Sequence, residues 1–138
     1  MSGAPWDDAF EAVRTLEDLT TRNFRTPAAG ARARPFKVSK TQLDGLEVTT
    51  SRGGTIQLRA EAFAAAVKVL HDLGEDEARE GGWVPISDEL LVSVLQAENH
   101  ERACSSYVLP LLVEAGKLEL DRGRPARARL ARPGGEGA

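Results

Sequence analysis

Between Gly82 and Leu130 the hydrophobic period changes from helical to alternating, and that change limits the folds open to the chain. Trp83-Val84-Pro85-Ile86 is short and extended, and Pro85, which lacks an N–H, suits an edge strand. Ser87 is a good N-cap, with Asp88 and Glu89 in the first turn beside the positive end of the helix dipole. Leu90, Leu91, Val94 and Leu95 then form the apolar face of a helix ending near Ala97 to Asn99. Asn99 to Cys104 is expected to form a short second helix. Ser105 or Ser106 caps a third, with Tyr107, Val108, Leu111, Leu112 and Ala115 as its apolar positions. Pro110 leaves its start open between Tyr107 and Pro110 itself, because proline is free of cost only at the first helical position. Gly116 ends the element. After it the period drops to two: Leu118 and Leu120 alternate on one arm of a hairpin, Ala128 and Leu130 on the other, around Arg122-Gly123-Arg124-Pro125.

Upstream, Trp6, Phe10, Val13, Leu16 and Leu19 predict a helix over Pro5 to Arg22, stopped by Asn23. Its apolar stripe covers the sheet that follows or packs on a second copy of the chain as a homodimer. Phe24 to Pro35 has no period and contains two prolines and three arginines, so it reads as a loop or an extended arm. Phe36 to Arg59 alternates like a three-stranded antiparallel meander. Asp44-Gly45 is expected to form a two-residue hairpin turn and Arg52-Gly53-Gly54 the next turn. One face of such a sheet is apolar and needs a helix over it. Ala60 to Leu73 supplies that helix, with Phe63, Val67, Leu70 and Leu73 as its stripe and Gly74 as its C-cap. The acidic run 75–82 reads as a linker, and 131–138 as a tail.

A net charge of −3 conceals a division. Residues 24–59 hold seven basic residues against two acids, and residues 60–98 hold nine acids against two basic residues. Nucleic-acid binding needs a basic patch rather than a basic protein, so two basic segments in an acidic chain remain compatible with it. The single cysteine, Cys104, excludes an intramolecular disulfide framework and points to a reducing, cytoplasmic setting. No apolar run approaches the roughly 20 residues of a membrane span, and the N-terminus lacks the pattern of a signal peptide.

The order of three helices and a hairpin over residues 83–130 resembles the winged-helix class of DNA-binding domains. The resemblance implies an α+β protein. Residues 1–74 would be a helix, meander and covering helix serving support or dimerisation, 75–82 a linker, and 83–130 a winged-helix-like unit. It also implies that the third helix reads the major groove and that the hairpin is the wing. Arg102, Ser105, Ser106 and Tyr107 stand at the start of that helix, where Ser hydroxyls and a helix N-terminus suit a phosphate. Glu114 and apolar residues fill most of the remainder, so the helix lacks the Arg, Lys, Asn and Gln side chains that read base edges. The hairpin is richer, with Lys117, Arg122, Arg124, Arg127 and Arg129. Arg122-Gly123-Arg124-Pro125 is similar to the core of the AT-hook, which implies arginine entry into a narrow minor groove. Arg32, Arg34, Lys37 and Lys40 complete the expected interface if the arm shares a face with the wing.

Catalytic readings have little to stand on. His100 and Cys104 are four residues apart, which makes a weak ligand or thiol–imidazole pair and no closed metal site. Arg52-Gly53-Gly54-Thr55 lacks the P-loop pattern. The expected function is therefore non-enzymatic binding of double-stranded DNA, as in transcription regulation, without metal or cofactor. A protein–protein adapter, or a non-catalytic subunit of a DNA-processing complex, is the alternative.

Overall fold

The computed structural model describes residues 6–28, 33–76, 80–123 and 125–131. Strands β2 (Pro35–Thr41), β3 (Gly45–Thr49) and β4 (Thr55–Arg59) form the antiparallel meander. Phe36, Val38, Leu46, Val48 and Leu58 point to its buried face. The first turn is shifted by one residue from the expected position. Gln42 N–H donates to the Gly45 carbonyl at 2.9 Å, which puts Leu43 and Asp44 at the tip. Neither tip residue has positive φ, so this is not the primed turn that Asp-Gly suggested. Gly45 is needed for another reason: a Cβ there would sit 2.4 Å from the Leu58 carbonyl oxygen of the neighbouring strand. At the second turn Gly53 does take a left-handed conformation, φ 88°.

The segment read as a loop or an extended arm begins as a strand. In β1 (Phe24–Arg25), Phe24 pairs with Phe36 and Arg25 with Pro35, which makes the sheet four-stranded. The two phenylalanine rings stack at 5.6 Å, so burial of aromatic area holds a segment that has no periodic pattern.

Helix α1 spans only Ala9–Arg14, not the eighteen residues from Pro5 to Arg22. The Thr15 hydroxyl bonds back to the Glu11 carbonyl at 2.8 Å, and Asp18 turns to φ 58°, a conformation Asp tolerates better than most residues. The apolar stripe survives the break. Val13 and Leu19 are buried within the chain itself, and Trp6, Phe10 and Leu16 pack half-buried against the same core. Helix α2 (Ala60–Gly74) lies beneath, with Phe10 and Phe63 5.5 Å apart.

After a single 3-10 turn at Glu80–Gly82 comes β5 (Val84–Pro85), the edge strand that Pro85 suits. Helix α3 (Glu89–Glu98) is capped by Asp88, one residue later than expected. Its carboxylate accepts from Leu90 N and Leu91 N at 3.0 and 3.1 Å. The short helix expected at 99–104 is absent. His100 and Glu101 take φ 57° and 63°, and Glu101 N–H closes α3 on the Gln96 carbonyl at 2.8 Å. Helix α4 (Ser105–Glu114) starts earlier than either reading of Pro110 allowed, and Pro110 lies buried inside it. Strands β6 (Leu118–Asp121) and β7 (Arg127–Leu130) form the hairpin, in a three-stranded sheet ordered β5-β7-β6.

The core does not divide at the acidic run. One cluster joins Val13, Phe36, Leu46 and Phe63 to Leu91, Leu95, Leu111, Leu112 and Ala128. Helix α2 is the common wall, packing on α1, α3, α4 and strands of both sheets. The structure is thus α+β, with the elements from α1 to α2 and those from β5 to β7 sharing a single interior. Among the described residues no helix is long and apolar enough to cross a membrane.

Candidate nucleic-acid interface

The hairpin arginines are occupied by the chain's own acids, aromatics and carbonyls. Antiparallel register sets Glu119 opposite Arg129 and Asp121 opposite Arg127. Arg129 Nε lies 2.8 Å from Glu119 and its Nη1 donates to the Gly81 carbonyl at 2.9 Å. Arg127 pairs with Asp121 at 2.5 Å. Both guanidinium groups stack on Trp83, at 4.3 Å for Arg129 and 5.3 Å for Arg127. This face of the wing is neutral in sum, and both of its cations stack on Trp83.

Arg122, an exposed residue, reaches across to the backbone of the 25–28 segment. It donates to the carbonyls of Thr26 at 2.6 Å, Ala28 at 3.2 Å and Arg25 at 3.3 Å. Desolvation, with Arg25 nearby, lowers its pKa, and Glu114 partly opposes this. Arg122 thus fastens the 25–28 segment, a role the AT-hook likeness did not suggest. Gly123 folds against the Asp121 side chain. Arg124 and Arg32, both expected in the interface, lie outside the described residues. Lys117 pairs with Asp8 at 2.6 Å, and that hydrogen bond holds the Asp8 carboxyl below the usual carboxylate range.

Helix α4 is enclosed. Val108, Leu109, Leu111 and Leu112 are buried, and α1, α2, β1 and β6 pack around them. Arg22 bridges to Glu114 across its far end. Among its residues only Ser106 and Glu114 are exposed.

The start of α4 nevertheless opens onto a cleft. Thr26, Arg34 and Pro35 line one side, the β3–β4 turn residues Thr50, Ser51 and Arg52 another, and Ser106 and Tyr107 the third, around about 340 Å³. The Tyr107 ring is fixed edge-on against Phe36 at 5.1 Å. Thr26 joins this cleft to the wing. Its hydroxyl accepts from Arg34 N at 2.8 Å, its N–H donates to the Arg34 carbonyl at 2.9 Å, and its carbonyl takes Arg122. Arg34 and Arg52 are exposed and have no ion-pair partner among the described residues, in contrast to the wing arginines. Lys37 and Lys40, on β2, are exposed and likewise unpaired. A bulge between Val38 and Lys40 turns both Ser39 and Lys40 to solvent. Arg102 is exposed in the link between α3 and α4, and Ser105 begins α4 half-buried.

Of the residues expected to bind, Arg34, Ser106 and Tyr107 therefore converge, while Lys117, Arg122, Arg127 and Arg129 are engaged elsewhere. Arg52 had been assigned only to a turn of the meander. Nothing local to Arg52-Gly53-Gly54 signals that its turn meets a helix more than fifty residues later. His71 packs against Trp6 and Asp72, while Cys104 is buried and donates to the Leu95 carbonyl at 3.6 Å. Among the described residues no three His, Cys, Asp or Glu side chains form a metal-binding group. Comparison of the chain with family models, curated proteins and solved structures finds no match.

Proposed function

We propose that this protein is a non-enzymatic binder of double-stranded DNA that engages the phosphate backbone through the cations around the α4 cleft. The observation that carries the reading is the convergence of Arg34 and Arg52, both without ion-pair partners among the described residues, on one cleft with Ser106 and Tyr107. Charge without a partner is available to phosphate, and backbone contacts supply most non-specific affinity. Lys37 and Lys40 extend the positive charge along β2. The winged-helix likeness keeps, over residues 83–130, the order α3, α4 and hairpin, without the short helix expected at 99–104. The wing's part is to position the 25–28 segment, and so the cleft, through Arg122.

Fluorescence anisotropy with labelled A·T-rich, G·C-rich and single-stranded DNA at two salt concentrations tests this. Duplex binding should weaken with salt, and Arg34→Ala with Arg52→Ala should flatten the log–log slope by about two, roughly one per lost phosphate contact. Salt-sensitive binding with an unchanged slope in the double variant would remove the cleft from the interface.

A protein–protein adapter is the second reading. Leu90 is 50% exposed on α3, in a broad shallow depression with Ser87, Glu89, Val92 and Ser93. Failure to bind any duplex at low salt favours that reading.

A further inference from the structure

We infer that the α4 cleft is a seat for one phosphomonoester dianion, and that on DNA it takes the terminal phosphate of a strand rather than an internal phosphodiester. The inference rests on the DNA-binding reading for the source of the phosphate, and on the cleft alone for its chemistry.

The donor inventory separates the two kinds of phosphate. Arg34 and Arg52 each carry five N–H donors in a planar fork. Thr50, Ser51, Ser106 and Tyr107 add hydroxyls along the same walls. Among the described residues no carboxylate lines the cleft. An internal phosphodiester offers two free oxygens and one negative charge, with chain continuing on both sides. Its two free oxygens and single charge satisfy these donors less completely than a group with three free oxygens and a second charge. A terminal phosphomonoester offers three free oxygens and a charge of about −1.5 to −2 at pH 7. Each arginine can then take a pair of oxygens, and the two positive charges are matched.

Shape agrees with chemistry. Duplex backbone is convex and continuous, and it meets a protein surface best along a ridge or stripe. The cleft is a concavity of about 340 Å³, bounded by Thr26, Arg34 and Pro35, by the β3–β4 turn and by the start of α4. A chain end can enter such a space, with its base pairs left outside. Lys37 is exposed on β2, the strand that begins at the cleft's Pro35.

The test uses the full chain and two blunt duplexes of one sequence, one with 5′-phosphates and one with 5′-hydroxyls. Inorganic phosphate is the separate probe, followed by shifts of the Ser106, Tyr107 and Arg52 amides in proton–nitrogen spectra. The phosphorylated duplex should bind about tenfold more tightly at pH 7.5, a modest return for new charge-assisted bonds. The preference should shrink at pH 5.5, where the phosphate loses its second charge. Arg52→Ala should abolish the preference while leaving the melting temperature unchanged, since Arg52 is exposed and has no ion-pair partner among the described residues.

Equal binding of both duplexes, with no phosphate-induced amide shifts, overturns the seat and leaves DNA binding standing. Phosphate-induced shifts at these amides, with no binding of either duplex, support the seat for free phosphate and overturn the DNA source. Absence of both overturns the two readings together.

Discussion

Replacing Asn99 should weaken the whole fold, because its side chain ties the two halves of the chain. It is the one buried polar side chain among the described residues, 2% exposed. Its Oδ1 accepts from Arg59 N–H at 2.8 Å, and its Nδ2 donates to the carbonyls of Gln57 at 3.0 Å and Arg102 at 3.4 Å. Gln57 and Arg59 lie on β4, the outer strand of the four-stranded sheet, so the amide completes part of an open edge. Asn99→Ala removes three hydrogen bonds and leaves the half-buried Arg59 N–H without its side-chain partner. The Gln57 and Arg102 carbonyls, on exposed residues, can turn to water. At about 1–3 kcal/mol for an unsatisfied group, the loss should be about 1–3 kcal/mol. For a chain of this size that lowers the melting temperature by roughly 4–10 °C.

Urea unfolding followed by tryptophan fluorescence measures the change, which should move the midpoint without changing the slope. Asn99→Asp sharpens the test. A charged carboxylate keeps the bond from Arg59 N–H but turns an oxygen on the two carbonyls. Its charged form is disfavoured in the folded state, which raises the folded pKa above the unfolded value of about 3.9. The variant's deficit relative to the native chain should therefore be smallest below that value and grow as pH rises through the folded pKa. A loss under about 1 kcal/mol for Asn99→Ala, or a pH-independent deficit for Asn99→Asp, would refute the argument.

Three further outcomes follow from particular contacts. Arg122→Ala should speed hydrogen exchange of the Thr26 amide and destabilise by about 1–2 kcal/mol, since it releases the carbonyls of residues 25, 26 and 28; unchanged exchange there would leave Arg122 without its fastening role. Cys104 is 2% exposed and burial pushes its thiol up to about 11, so at pH 8 native alkylation should be at least roughly a hundredfold slower than in urea, where the thiol returns to its ordinary range; equal rates would show that the site opens readily. The Asp8 carboxyl, held low by Lys117, contributes stability that is present above the unfolded carboxyl pKa and lost as pH falls through the folded one. Asp8→Asn should accordingly reduce the acid sensitivity of unfolding, and an unaltered acid limb would count against the pair.

Much of the architecture was legible in local pattern. Alternation from Phe36 to Arg59 located the meander, and the Phe63, Val67 and Leu70 stripe located α2. Those signals are short-ranged, because the pleat period and the helical period each act over a few residues. Other local signals were outweighed. The Trp6-to-Leu19 stripe overstated α1, since an apolar period persists through a turn that keeps the same side buried. The residues 99–104 read as helix, yet the Asn99 amide is engaged forty residues away on Arg59 and the chain turns left-handed beside it.

For the candidate site the division is sharper. Sequence alone identified Arg34, Ser106 and Tyr107 as able to meet a phosphate, because side-chain chemistry is a property of the residue. It also ranked Arg122, Arg127 and Arg129 highly, because clustered arginines look available until their partners are known. Only the tertiary structure brought Glu119, Asp121, Trp83 and the 25–28 carbonyls to those arginines, and only it set Arg52 across a cleft from Arg34. Composition determines which charges a chain carries. Long-range packing decides which of them remain unpaired, since an ion pair depends on distances in space that separation along the chain does not encode.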